Sequence, residues 1–176
     1  MHLVDAPAAD DLVERARAGD ADARNRLVAR HYGAVWSLAR KLVRDDATAS
    51  DVAQETFARA LARLDQYDGR HRFSSWLFKI ASNHVRDLHR RRAPDPVERA
   101  PVESADAILA KSEDIARVRR ALDALPTETR AAMTLHLQEE LTVPEIAFVL
   151  DLTEDAVRNK IHRGLQKVRD LLSRKP

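Results

Sequence analysis

"LTVPEIAFVLDLTEDAVRNKIHRGLQKVR", Leu141 to Arg169, is the stretch on which the fold turns. Thr142-Val143-Pro144-Glu145 reads as a capping box with proline inside the first helical turn. Ile146, Ala147, Val149 and Leu150 then carry a short helix, and Asp151-Leu152 turns the chain without the glycine often found at such a turn. Thr153 caps a longer helix that runs to about Leu172. In it Val157, Ile161, Leu165, Val168 and Leu172 point inward by spacing. Asp155, Asn159, His162, Arg163 and Gln166 point outward, flanked by Arg158, Lys160 and Lys167. A short helix, a tight turn and a basic second helix form the helix-turn-helix pattern, whose second helix fits a major groove and reads bases mainly with amino-terminal residues. Arg and Asn side chains suit that task because each can pair with a base edge through two hydrogen bonds.

Working back along the chain, "SSWLFKIASNHVRDLHRRR" (Ser74 to Arg92) is a second amphipathic helix with a basic side. Leu77, Ile80, Ala81, His84, Val85 and Leu88 fall in one stripe at steps of three and four. Lys79, Asn83, Arg86 and Arg90 fall opposite, with Trp76 at the edge. His84, inside the apolar stripe, reads as a packed core histidine. Stacking a base on an aromatic ring is worth about 1–3 kcal/mol, and extruding a base from a duplex costs a few kcal/mol. An aromatic beside a basic groove is therefore suited to holding opened DNA. The competing view, in which Trp76 is core and the arginines are a solvated helix end, stands beside it on this segment alone.

The charge distribution links the two helices. Gly69 to Arg92 carries seven Lys/Arg against one acid, Asp87, and Arg158 to Lys175 again carries seven against one, Asp170. Between them, Ala93 to Val157 holds 14 acids and six bases. A net charge of +2 conceals this pattern. Two basic islands separated by an acidic stretch suit two surfaces meeting a polyanion.

The remaining periodicity is helical. Leu12, Val13 and Ala16 share a face, Gly19-Asp20 breaks it, and Leu27, Val28 and Tyr32 resume it. Val35, Leu38, Leu42 and Val43 make a further stripe that Asp45-Asp46 interrupts, and Thr48 to Leu64 buries Val52, Phe57, Ala60, Leu61 and Leu64. Gln66 to Arg70 is a loop. "APDPVERAPVESA" (Ala93 to Ala105), with three prolines in 13 residues, is a linker. Beyond it Ile108 to Leu125 is helical, and Thr127 caps another helix, with Leu125, Met133, Leu135 and Leu137 as core. The expected architecture is all-α: two small helical domains, 1–92 and 108–176, joined by a flexible linker, 93–107, with the helix-turn-helix in the second. Fully extended, 13 linker residues span at most about 45 Å, so both domains can reach separate sites on one DNA.

Several classes drop out. The chain of 176 residues holds no cysteine, and its seven histidines show no paired ligand spacing, so no metal and no cofactor are expected. No apolar run approaches the roughly 18 residues of a membrane span, so membrane insertion is not expected and a cytoplasmic location is. No phosphate-cradling glycine loop and no nucleophile–base pairing at a telling spacing appears, so no catalytic residue is assigned.

Taken in order, "DVAQETFARAL" (Asp51 to Leu61), "FSSWLFKIASNHVRD" (Phe73 to Asp87) and the Leu141–Arg169 stretch resemble the extracytoplasmic-function group of bacterial sigma factors. The resemblance implies a subunit that directs RNA polymerase core to particular promoters and helps to melt them. It implies that Asp51, Gln54 and Glu55 dock on the clamp helices of the largest catalytic subunit, and that the second domain meets the flap of the second-largest. It further implies that Arg70, His71, Arg72, Trp76, Lys79, Asn83, Arg86 and Arg90 engage the minus-ten element and its melted nontemplate strand. Thr153, Arg158, Asn159, Lys160, His162, Arg163 and Lys167 would then engage the minus-thirty-five duplex. An anti-sigma factor is the implied restraint. Three other classes remain open on the sequence: a free-standing helix-turn-helix regulator, a helical nucleic-acid-processing enzyme and a protein-binding adaptor. The first gives no role to Trp76 or the Asp51 helix, the second lacks an active-site constellation, and the third leaves two basic islands unexplained.

Overall fold

A computed structural model describes residues 8–91 and 120–173, and the described residues hold helices and no strand. The expected linker, 93–107, and the helix expected over Ile108–Leu125 up to residue 119 lie outside the described residues. The first four helices are α1 (Ala8–Arg17), α2 (Ala21–Val43), α3 (Asp46–Ala62) and α4 (Phe73–Arg91). A 3-10 turn, Leu64–Gln66, precedes α4. The second half holds α5 (Thr127–Leu137), α6 (Val143–Leu150) and α7 (Glu154–Ser173).

Local chemistry sets the boundaries. Gly19 ends α1 at φ +97°, and the Asp20 carboxylate caps α2 by accepting from Ala23 N at 3.0 Å. The two stripes read after that break belong to one 23-residue helix, α2. Arg44 closes it at φ 60°, and Asp45 caps α3 by accepting from Thr48 N at 2.7 Å. Helix α3 stops at Ala62, and Leu64 is buried from the 3-10 turn instead. The first core gathers Val13, Leu27, Val35, Leu38, Val52, Phe57, Leu77, Ala81 and Val85, with alanines at 0% exposure letting the helices close on one another.

The second core gathers Leu125, Met133, Leu135, Leu141, Ile146, Val149, Val157 and Ile161. Three sequence expectations fail here. Thr127 lies inside the first turn of α5, and Pro126 takes the cap position with no side-chain bond. Leu137, at the end of α5, is 53% exposed, and Leu165 is 44% exposed. The α7 stripe steps from Ile161 to buried Gly164, one residue short of Leu165. A Cβ on Gly164 would sit 2.9 Å from Cγ and Sδ of Met133, so the close approach of α5 to α7 requires glycine there.

The two halves touch along α2–α5 and α4–α6. At the first contact Arg130 is 1% exposed. Its Nε donates to the Lys41 carbonyl at 2.9 Å, and its Nη1 donates to the carbonyls of Asp123 (3.1 Å) and Leu125 (3.0 Å). Burial, with Arg44 and Arg40 nearby, lowers its pKa to about 10, so it stays cationic at neutral pH.

Candidate nucleic-acid interface

Helix α4 divides as its periodicity requires. Leu77, Phe78, Ala81 and Val85 are buried, Ile80, His84 and Leu88 are half-buried, and the basic side chains project from the other side. Trp76 is half-buried, its ring 5.4 Å from Tyr67 and 5.7 Å from Phe73 by centroid. It thus belongs to an aromatic cluster at the mouth of the 67–72 loop.

That loop has a built shape. Gly69 takes φ +74°, Arg70 N donates to Asp68 Oδ1 at 3.0 Å, and the Tyr67 hydroxyl donates to the His71 carbonyl at 2.8 Å. From α1, Arg17 Nη2 donates to the carbonyls of Tyr67 (2.6 Å) and Leu64 (3.2 Å). Arg17, Val13, Glu14, Tyr67, Asp68 and Gly69 line an open recess of about 340 Å³. Sequence reasoning missed Arg17, because its partners are backbone carbonyls about fifty residues away and leave no side-chain signature.

The basic side of α4 is covered by α6. Arg72 forks onto Glu145, with Nε to Oε1 at 2.6 Å and Nη2 to Oε2 at 2.9 Å, and the Ser75 hydroxyl donates to the same carboxylate at 3.4 Å. Lys79 Nζ lies 3.0 Å from Asp151 Oδ1, and Arg86 Nη1 lies 3.2 Å from Oδ2. Arg86 Nη2 also donates to the Leu150 carbonyl at 2.8 Å. The His71 ring stacks on Phe148 at 3.9 Å and 15°, with the Lys79 ammonium 5.4 Å from the same phenyl centroid. Burial pushes the Glu145 carboxyl up, but donors from Arg72 and Thr142 outweigh it and hold its pKa at about 2. Lys79 first, then Arg86, likewise holds the Asp151 carboxyl below its ordinary value.

Of the eight residues expected at the minus-ten element, His71, Arg72, Lys79 and Arg86 therefore meet α6 or its terminal cap. Arg70, with its side chain 83% exposed, pairs with Asp68, and exposed Arg90 pairs with Asp87. Asn83 Oδ1 accepts from Arg86 at 3.3 Å.

The second basic island is arranged differently. Glu145 completes the capping box, accepting from Thr142 N and Thr142 Oγ1 at 2.8 Å each. Asp151 occupies the left-handed position, φ 62°, that closes α6, which explains how the turn manages without glycine. Thr153 Oγ1 accepts from Ala156 N at 3.2 Å and so caps α7. Arg158, Asn159, His162 and Arg163 are exposed along one side of α7. Arg158 is bonded to its own helix neighbours, Glu154 (2.6 Å) and Asp155 (2.8 Å). Lys160 instead reaches Glu128 of α5 at 2.8 Å, and Lys167 donates to the Ala124 carbonyl at 3.2 Å.

On α3, Asp51 and Gln54 are exposed, opposite buried Val52, Phe57 and Ala60. Glu55 is half-buried and accepts from Arg59 Nε at 2.6 Å, which lowers its pKa. Among the described residues no helix is long and apolar enough to cross a membrane, and no cluster of three metal-capable side chains occurs.

Comparison with known proteins places these features. Residues 27–94 match the sigma-70 region 2 family and residues 115–168 match sigma-70 region 4. The chain is 34% identical to the ECF RNA polymerase sigma-E factor of Escherichia coli K12 over 173 residues, which span 89% of this chain and 90% of that one. It is 36% identical over 157 residues to the ECF RNA polymerase sigma factor SigE of Mycolicibacterium smegmatis; these cover 84% of this chain but only 61% of that relative's length. Among solved structures, CnrH in complex with the cytosolic domain of CnrY superposes with a TM-score of 0.71 at 33% identity, covering 96% of this chain and 99% of that one. A sigma factor RpoE bound to the anti-sigma factor NepR from Bartonella quintana superposes at 0.66 over 86% of this chain and 98% of that one, at 18% identity, which speaks for the shared fold.

Proposed function

This chain belongs to the extracytoplasmic-function RNA polymerase sigma factors, and from that membership we propose how its parts divide the work. As a sigma factor it gives RNA polymerase promoter specificity at transcription initiation, working where the polymerase works, in the cytoplasm. Residues 1–92 form the module that docks on core and handles the minus-ten element. Residues 108–176 form the module that reads the minus-thirty-five element, and 93–107 link them. The polymerase carries out the bond chemistry, and the sigma factor contributes position.

On α3, Asp51, Gln54 and Glu55 present a polar face to the clamp helices of the largest catalytic subunit, while the second module meets the flap of the second-largest. The 67–72 loop, Trp76, Lys79, Asn83, Arg86 and Arg90 receive the opened nontemplate strand, with Trp76 supplying a stacking surface. Thr153, Arg158, Asn159, Lys160, His162, Arg163 and Lys167 lie along or beside the duplex-facing side of α7. CnrH is solved with the cytosolic domain of CnrY bound to it and RpoE with the anti-sigma factor NepR, and a protein partner of the anti-sigma kind is the restraint we infer for this chain.

The observation that carries the reading is the exposed row Arg158, Asn159, His162 and Arg163 on the second helix of a capped helix-turn-helix. Run-off transcription from a genomic promoter library tests it. Transcripts are expected only when core polymerase and this chain are both present. Charge reversal at Asp51 and Glu55 is expected to abolish them. Initiation indifferent to the chain, or to that reversal, would contradict the respective assignment.

A further inference from the structure

The cations of α4 and its leading loop that reach the other half, Arg72, Lys79 and Arg86, are already held by carboxylates there. Glu145 takes both arms of the Arg72 fork, and Asp151 takes Lys79 and Arg86 together. We propose that α6 is a self-masking latch, in which Glu145 and Asp151 stand in for DNA phosphates on α4 and keep the strand-melting face shut until a polyanion displaces them. The proposal rests on the assignment of α4 to the opened strand.

The contact is made of few charged parts. The Arg72–Glu145 fork is bidentate and charge-assisted, which gives it a fixed geometry. Lys79 and Arg86 converge on one carboxylate whose side chain is 63% exposed, and pairs so exposed to water are individually weak. The His71 ring stacks on Phe148, with the Lys79 ammonium beside the same ring. A nucleic-acid strand brings many phosphates and gains from the release of its own counterions, so it outcompetes two carboxylates where a neutral ligand would not. The exposed row on α7 takes no part in the latch and stays available while it is closed.

Two substitutions remove the latch charges and keep the local fold. Glu145→Gln retains a side chain able to complete the capping box. Asp151→Asn retains a residue at ease with φ 62°. The probe is a fluorescein-labelled, mixed-sequence single-stranded oligonucleotide, its binding to the full chain followed by anisotropy at low salt. The double variant E145Q/D151N is expected to bind about tenfold more tightly than wild type, the factor that two or three weak surface pairs amount to. A control, D22N/D170N, removes two carboxylates elsewhere and reports the gain from net charge alone. In a second measurement, His71→Cys and Phe148→Cys are introduced into this cysteine-free chain and joined by a reducible thiol crosslinker. Joining is expected to suppress oligonucleotide binding, and reduction to restore it. A gain no larger than the control's, or binding unaffected by the crosslink, overturns the latch. Both measurements are independent of core-dependent transcription, which alone decides the reading beneath the latch.

Discussion

Helices α4 and α7 are both amphipathic and basic, yet they spend their charge differently. The cations of α4 and its leading loop meet carboxylates 65 to 73 residues away, across the join between the halves. On α7, Arg158 is neutralised by Glu154 and Asp155, four and three residues back, while Asn159, His162 and Arg163 face water. Those two acids sit in the first turn, where the helix dipole also favours them. A local pair opens and closes within one helix; the α4 set as a whole frees its face only when the modules part. Equal charge along the sequence therefore gives one face that waits and one that is ready.

The join itself offers the severest way to erase that difference. Arg130 satisfies three backbone carbonyls in a buried site, and each buried acceptor left unpaired costs about 1–3 kcal/mol. Arg130→Met is expected to lower the unfolding free energy by roughly 3 kcal/mol or more, read from urea melts. Because α5 then loses its grip on α2, the α4 face should become as accessible as that of α7, seen as faster reaction of a cysteine placed at His71. An Arg130→Met chain as stable and as closed as wild type would mean that the α4–α6 contact holds the halves alone.

A smaller effect separates residues within the open face. Arg163→Ala is expected to weaken holoenzyme binding to upstream-element duplex by roughly tenfold or more, the range for loss of a good base contact at about 1–3 kcal/mol. Arg158→Ala should cost less, since Arg158 must leave Glu154 and Asp155 before it can reach DNA. Equal losses would show that local ion pairs do not tax the contact. Smaller still, Gly164→Ala should test the α7 side alone. Helix propensity favours alanine by about 1 kcal/mol, but its Cβ would meet Met133, itself 2% exposed, at 2.9 Å. Overpacking typically costs about 1–3 kcal/mol, so a net loss of about 1 kcal/mol is expected in urea melts, with the α4 face unchanged.

What could be read from residues alone follows the range of the forces involved. The all-α architecture, the capping box, the Thr153 cap and the dry stripe of α4 are local, and spacing revealed each of them. Leu165 was misplaced because a stripe at steps of four and three admits two neighbours, and only the α5–α7 approach selects Gly164. Arg17 and Arg130 were invisible because each serves backbone carbonyls, which leave no side-chain signature in the sequence. The pairing of Glu145 and Asp151 with α4 was invisible for another reason: Glu145 already had a sufficient local role in its cap, and Asp151 in its turn.

The faintest expected effect concerns that second role. Glu145 titrates at about 2 in the closed chain, against an ordinary 4.5, so its contribution is complete above about 4.5 and is lost as pH falls toward 2. Asp151, also depressed, acts in the same direction. The groups facing them are Arg72, Lys79 and Arg86, with His71 on the adjoining Phe148 ring. Energy transfer between dyes on cysteines placed at exposed Ala58 of α3 and exposed Asp170 of α7 reports the separation of the halves. It should hold steady from about pH 8 to about pH 5 and change below that as the carboxylates take up protons. Partly exposed pairs are each worth only about 0–1 kcal/mol, so the change should be partial. A change that survives His71→Gln but disappears in E145Q/D151N belongs to the carboxylates. A change that persists in E145Q/D151N would place the sensitivity outside the latch and take the two carboxylates out of the account of how the faces part.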